Sequence, residues 1–315
     1  MTRVLIARVG GIGDSLALLP VLLALKKDRP DLDITVLLSP IGATVLNPVL
    51  GCVRVVTVPR AFLSGVAGLR CVPELVKQVG RQDKALLSYD ETAAVHGVAA
   101  CVSPCRIGFS SGISRGECLL THRLPFDPHR PVYDMLYDLA RFMGGVCPVM
   151  RSARLPGRVE GTTAYGELHV RAATSLQEWD VMHRLAPYLE AATGFPWLVR
   201  RGVEDGRSLG DFLSGIAGAR AVVSVHSGPL HLAAALGVPV VGIAGPTART
   251  WDPPGVPVLR LGPECQPCGL PGAPARVCWR GDHACLSQLV PRMIMKSLLP
   301  VLHAQLQDTV LPCVF

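Results

Sequence analysis

At 315 residues the chain is long enough for two domains of ordinary size, and 49% apolar against 17% charged residues exclude a disordered protein. A net charge of +7, with no basic tract and no aromatic-interleaved basic stripe, excludes nucleic acid as the expected partner. Mean hydropathy is high at +0.36, yet no run approaches the roughly 20 uninterrupted apolar residues of a membrane span.

The chain opens on Met1-Thr2-Arg3-Val4-Leu5-Ile6, directly into a strand predicted over residues 3–9. That leaves no room for a signal peptide, and the odd number of cysteines, 11, then fits reduced thiols in a cytoplasm. A glycine loop and a periodic segment at 15–27 follow, the latter broken by Pro20 and closed by Lys26 and Lys27, which reads as a buried helix. Further strands are expected at 33–39, 53–58, 85–89 and 106–109, with an amphipathic helix at 132–143. Strands alternating with helices imply a parallel sheet covered on its faces. Residues 151–166 are polar and aperiodic, and the domain linker is placed there.

The pattern then restarts: strand 167–171, helix 179–193, strand 196–200, helix 208–217, strand 221–225, helix 229–236 and strand 238–243. A cysteine-rich loop at 265–285 and a helix at 289–306 close the chain. The expected fold is α/β, with two doubly wound parallel-sheet (Rossmann-like) domains, 1–155 and 156–315, facing a cleft. The last helix is expected to pack back on the first domain. Ligands of such sheets bind at the carboxyl ends of the strands.

Gly10-Gly11-Ile12-Gly13-Asp14-Ser15 sits between a strand and a helix, where glycines let backbone N–H groups approach an anion. A dinucleotide fingerprint would need a third glycine where Leu16 stands and a carboxylate after the second strand, which ends Leu38-Ser39-Pro40. A P-loop would need Gly-Lys-Ser/Thr. On the residues alone Asp14 is either a helix cap or an acidic group in a site.

The second strand–turn–helix of this kind is Val225-His226-Ser227-Gly228-Pro229-Leu230-His231. Ser227 is a candidate N-cap, Pro229 falls in the first turn, and the N–H groups beside Ser227 and Gly228 would accept a phosphate. His231 either donates to that phosphate or is a satisfied core histidine. Gly245-Pro246-Thr247 ends the next strand at the same edge, bringing Thr247 to the same site.

Cys265, Cys268, Cys278 and Cys285 have a spacing that suits a structural tetrathiolate site for zinc or iron, with His283 as a fifth candidate ligand; the alternative is a set of reduced loop thiols. The Asp-x-Asp pattern Asp31-Leu32-Asp33 precedes a strand, so no catalytic metal is expected.

Residues 4–20, with Gly13-Asp14 and Pro20, resemble the opening motif of the heptosyltransferases, glycosyltransferase family 9. Residues 226–235, followed by Gly237-Val238-Pro239 and Gly245-Pro246-Thr247, resemble that family's donor-binding signature, and the four cysteines resemble its cysteine-rich loop. The resemblance implies a GT-B fold and an inverting, single-displacement transfer of heptose or a related sugar from an ADP-sugar to a hydroxyl acceptor. No cofactor is implied for catalysis. In this resemblance Asp14 is the general base, and Gly11 and Gly13 belong to the acceptor-side loop. Thr174, Ser175, His226, Ser227, Gly228, Pro229, His231 and Thr247 bind the donor, and Glu204 (or Asp205) binds its ribose. The acceptor it implies is a lipopolysaccharide-core or other glycan, lipid-linked or not, met in the cytoplasm with peripheral contact to the inner membrane. A protein or small-molecule acceptor, or a non-catalytic sugar-nucleotide binder, is the alternative.

Two positions depart from the family pattern. His226 stands where the family carries an Asp that reads sugar hydroxyls. Gln177 or Glu178 stands where a basic residue is expected, leaving Arg171, Arg200 or Arg201 to supply that charge.

Overall fold

The computed structural model describes residues 1–51, 53–144, 153–157, 164–171, 180–271 and 277–308. The chain divides into two compact units, Met1–Ala153 and Arg154–Phe315.

In the first unit the strands are β1 (Thr2–Arg8), β2 (Leu32–Leu38), β3 (Arg54–Thr57), β4 (Lys84–Leu87), β5 (Cys105–Ser110) and β6 (His122–Pro125). Its helices are α1 (Ile12–Ala17), α2 (Leu19–Asp28), α3 (Pro40–Leu50), α4 (Gly65–Val79), α5 (Ala93–Val102) and α6 (Val132–Arg141). All six strands run parallel in the order β3-β2-β1-β4-β5-β6. Strands of β1, β2 and β4 are near-continuous apolar runs because helices cover the sheet on both faces. One such layer joins Leu5, Leu37 and Leu87 to Val95 and Val98 of α5. Strand order reverses between β1 and β4, so their carboxyl ends form the crevice where a ligand or a reacting group is expected.

The second unit carries β7 (Gly166–His169), β8 (Trp197–Arg200), β9 (Val222–Val225), β10 (Val240–Ile243) and β11 (Val258–Leu259). They are parallel, in the order β11-β10-β9-β7-β8, with the reversal between β7 and β9. The helices are α7 (Ala186–Thr193), α8 (Leu209–Gly218), α9 (Gly228–Leu236), α10 (Ala284–Ser287) and α11 (Pro291–Asp308). Ile294, Leu298 and Leu302 of α11 join Val223, Val241 and Ile243 in this unit's core. No described helix is long and apolar enough to cross a membrane.

Two strands and two helices differ from expectation for local reasons; the helix expected over 15–27 is α1 and α2, which begin at Ile12 and break at Leu18. β6 reads His-Arg-Leu-Pro and lies half in solvent at the sheet edge, so it lacks an apolar pattern. β11 has only two residues and draws its place from pairing with β10. The helix expected over 179–193 is a 3-10 turn at Asp180–Leu185 followed by α7, whose first turn holds Pro187. Proline fits that first turn and cannot donate to a preceding one.

Candidate active site

In the first unit the chemistry gathers around a buried guanidinium. Arg8, the last residue of β1, is wholly buried. Its Nη2 donates to Asp14 Oδ1 at 2.5 Å, and its Nη1 donates to Ser88 Oγ at 2.6 Å and to the Asp90 carboxylate. The Arg8 guanidinium also lies over the Tyr89 ring, 5.3 Å from its centroid. Burial would lower the Arg8 pKa, but Asp90 and Asp14 outweigh it and the group stays firmly charged. Asp90 is opposed by burial as well, and Arg8 and Arg60 hold it below the usual carboxylate range. The next residue behaves oppositely. Glu91 accepts from the Val9 N–H at 3.0 Å, and burial together with the Asp90 charge pushes it up to about 7.

Asp14 is the third residue of α1, and its two oxygens have different partners. While Oδ1 faces Arg8, Oδ2 accepts from the Gly11 N–H at 2.7 Å. Asp14 therefore caps the helix and pairs with Arg8 at once, and 24% of its side chain is still exposed. The anion held by the glycine loop is this carboxylate. A β-carbon at Gly10 would collide with it, which is why the loop needs glycine there. Gly13 follows within α1, and Ser15 anchors the turn by donating to the Gly11 carbonyl at 2.9 Å. Tyr133, half-buried on α6, lies near enough that desolvation and the Asp14 charge both raise its pKa.

In the second unit three adjacent strands deliver polar groups to one edge. His226 follows β9, Thr247 and Asp252 lie in the segment between β10 and β11, and Arg260 follows β11. Arg260 grips Asp252 with two hydrogen bonds, Nη2 to Oδ1 at 2.7 Å and Nη1 to Oδ2 at 2.9 Å, and reaches the Thr247 carbonyl at 3.3 Å. His226 Nε2 lies 3.1 Å from Asp252 Oδ1. Burial opposes ionisation of Asp252, and the hydrogen bonds from His226 and Arg260 still hold it below the usual range. His231, in the first turn of α9, is buried edge-on against the His226 ring at 5.4 Å. Burial, and then His226, lower it to about 3, so it is a neutral imidazole.

Ser227 occupies the N-cap position of α9 without capping it: its hydroxyl donates to the Val225 carbonyl at 3.2 Å and the Arg171 carbonyl at 3.4 Å. The first turn at Ser227, Gly228 and Pro229 is half-buried, and among the described residues no side chain caps its N–H groups. A helix start in that condition suits an anion.

Thr174, Ser175, Gln177, Glu178 and the side chain of Glu204 lie outside the described residues. Of the arginines considered as substitutes for the missing basic residue, Arg200 turns to the buried Glu167, donating from Nε at 2.8 Å. Arg201 uses its backbone N–H to bond Asp205 at 2.8 Å.

At the cysteine loop, Cys285 is raised to about 11 by burial and by the thiols of Cys268, Cys265 and Cys278. Cys268 is raised by burial and then by Cys265 and Cys278. Cys278 is lowered, first by the backbone N–H of His283 and also by those of Arg280 and Gly281. The contribution of His283 is thus its backbone, in a left-handed conformation with φ of 50°. Among the described residues no three His, Cys, Asp or Glu side chains form a group that could hold a metal ion as arranged.

Sequence reasoning did not single out Arg8, Asp90, Glu91, Asp252 or Arg260. The available signal was the carboxyl end of a strand: Arg8 and Arg260 terminate or follow one, and Asp90-Glu91 come shortly after β4.

Residues 207–258 match the family model of glycosyltransferase family 9 (heptosyltransferase). No curated protein matches the chain by sequence. Among solved structures, E. coli heptosyltransferase WaaC with ADP is similar at a TM-score of 0.72 and 17% identity, over 95% of this chain and 100% of that one. E. coli ADP-heptose lps heptosyltransferase II is similar at 0.66 and 17%, over 99% and 100%. The iron-containing dodecameric glycosyltransferase TibC from enterotoxigenic E. coli is similar at 0.58 and 14%, over 98% of this chain and 77% of that one. What is shared at these identities is the fold, two doubly wound parallel-sheet units of the GT-B type. In its matched segment and in that fold, this chain resembles the family 9 heptosyltransferases.

Proposed function

We propose that the enzyme transfers heptose or a related sugar from an ADP-sugar to a hydroxyl acceptor, with inversion, and that Asp14 is the general base. The observation that carries this reading is the Asp14 carboxylate itself, fixed by Arg8 and the Gly11 N–H yet partly open to solvent at the carboxyl end of β1. The acceptor oxygen attacks the anomeric carbon, its proton passes to Asp14, and the bond to the diphosphate breaks with its electron pair leaving on ADP. A carboxylate is a weak base, so proton transfer comes late, as departure of ADP makes the anomeric centre electron-poor.

The departing diphosphate carries negative charge, and the uncapped start of α9 at Ser227-Gly228 is the group to stabilise it. Thr247 lies at the same edge, and Thr174, Ser175 and Glu204 are assigned to the donor on the resemblance alone. A lipopolysaccharide-core or related glycan is the acceptor class this reading favours, met at the cytoplasmic face of the membrane. Incubation with ADP-heptose and such acceptors should release ADP and form a product of inverted anomeric configuration by NMR. No ADP release with any acceptor, together with no ADP binding, would overturn the reading.

The cysteine loop is proposed to take up a structural zinc or iron by drawing together Cys265, Cys268, Cys278 and Cys285, which as arranged form no metal-binding group. Burial and the neighbouring thiols raise Cys268 and Cys285, which a shared cation would relieve, and the three backbone N–H groups at Cys278 favour a thiolate. The metal would staple a loop rich in glycine and proline, and no catalytic step passes through it.

A further inference from the structure

We propose that Asp252, gripped by Arg260, sets donor-sugar recognition by fixing the tautomer of His226. This rests on the donor site proposed above for the second unit.

Three neighbouring strands, β11, β10 and β9, bring Arg260, Asp252 and His226 to one carboxyl edge. Asp252 is an acceptor toward both partners: Arg260 fills Oδ1 and Oδ2, and Oδ1 also faces His226 Nε2 at 3.1 Å. A carboxylate cannot donate, so the proton on this bond belongs to Nε2. With that proton on Nε2, Nδ1 is the ring's lone-pair acceptor, and the described residues make no hydrogen bond to it. Arg260 neutralises Asp252, and His231 lies edge-on to the His226 ring as a neutral imidazole.

The edge also holds buried polar capacity that the described residues do not use. Thr250 Oγ1 and Arg260 Nε are both buried without a hydrogen-bond partner. Thr250 is 8% exposed and sits two residues from Asp252.

A carboxylate at position 226 would accept from two sugar hydroxyls. A Nε2–H imidazole accepts from one, through Nδ1. The chemical class selected is therefore a nucleotide-activated sugar that presents a single hydroxyl donor at this point. Asp252 is a positioning residue here: it acts through His226 and leaves the ADP portion of the ligand untouched.

The test combines Asp252→Asn with a measurement that needs no variant. In the full-length wild type labelled with 15N-histidine, the His226 ring should show a protonated Nε2 and an unprotonated Nδ1; a protonated Nδ1 overturns the proposal. Asp252→Asn should raise KM for ADP-heptose about tenfold, the effect of one misdirected hydrogen bond, with kcat and ADP affinity changed less than about twofold. Asp252→Glu, which restores the carboxylate, should recover part of that loss. An unchanged KM, or equal loss of ADP and ADP-sugar binding, overturns the proposal while leaving the donor site standing. A wild type that binds neither ADP nor ADP-heptose overturns the donor site, and this inference with it.

Discussion

Arg8 is the residue on which the first unit's polar chemistry turns. A single buried cation between two carboxylates is costly to desolvate and costlier to break, because either partner left alone is a buried, unpaired charge. Arg8→Met strands Asp14 and Asp90 together and should lower unfolding free energy by about 3 kcal/mol in denaturant titration. Glu91 supplies a pH dependence of defined sign. Its folded pKa of about 7 lies above the ordinary carboxylate value, so the native state holds this proton more tightly than the unfolded chain. The stability it contributes is full at acid pH below the unfolded value and is lost as pH rises through about 7. Glu91→Gln keeps an acceptor for the Val9 N–H and should flatten the fall in melting temperature between pH 5 and 8. An unchanged slope in the variant would show that the titration lies elsewhere. Asp14 was legible in the sequence because a glycine loop between a strand and a helix marks its place. Arg8 was not, since its partners Ser88 and Asp90 are 80 and 82 residues away and only the β1–β4 pairing brings them together.

At the scale of elements, helix starts separate structural from functional serines. Ser208 caps α8 in full, accepting from the Asp211 N–H at 3.1 Å while Asp211 reaches back to the Ser208 N–H at 3.3 Å. Ser208→Ala should therefore cost about 1 kcal/mol in unfolding free energy. Ser227 also stands at an N-cap position, but without an acidic residue three positions on, and its hydroxyl points back to strand carbonyls, so Ser227→Ala should cost only a few tenths of that. A full capping penalty there would mean that the α9 start is closed to an anion. The sequence offered Ser227 as an N-cap; the approach of the Val225 and Arg171 carbonyls turns its hydroxyl away. Long apolar strands such as β1 and β2 were readable from pattern alone. β6 and β11 were not, because an exposed edge and a two-residue pairing leave no periodicity to read.

For the whole molecule, the repeated strand–helix alternation revealed two doubly wound units before any contact was known. The cysteine loop is different, because spacing suggests ligands but says nothing of whether four thiols converge. In the structure burial, then the neighbouring thiols, raise Cys268 and Cys285, and no metal-ligand group forms among the described residues. Elemental analysis of the purified protein should find about one zinc or iron per chain, lost in Cys268→Ser and Cys285→Ser. A metal-free protein of full stability would leave these as loop thiols. The central assignment is the role of Asp14, and Asp14→Asn measures it most directly. The variant keeps a group able to accept from the Gly11 N–H but cannot take the acceptor's proton. Its ADP affinity should stay within about twofold of wild type while transfer from ADP-heptose falls by about 100-fold or more; wild-type turnover in that variant would contradict Asp14 as the base.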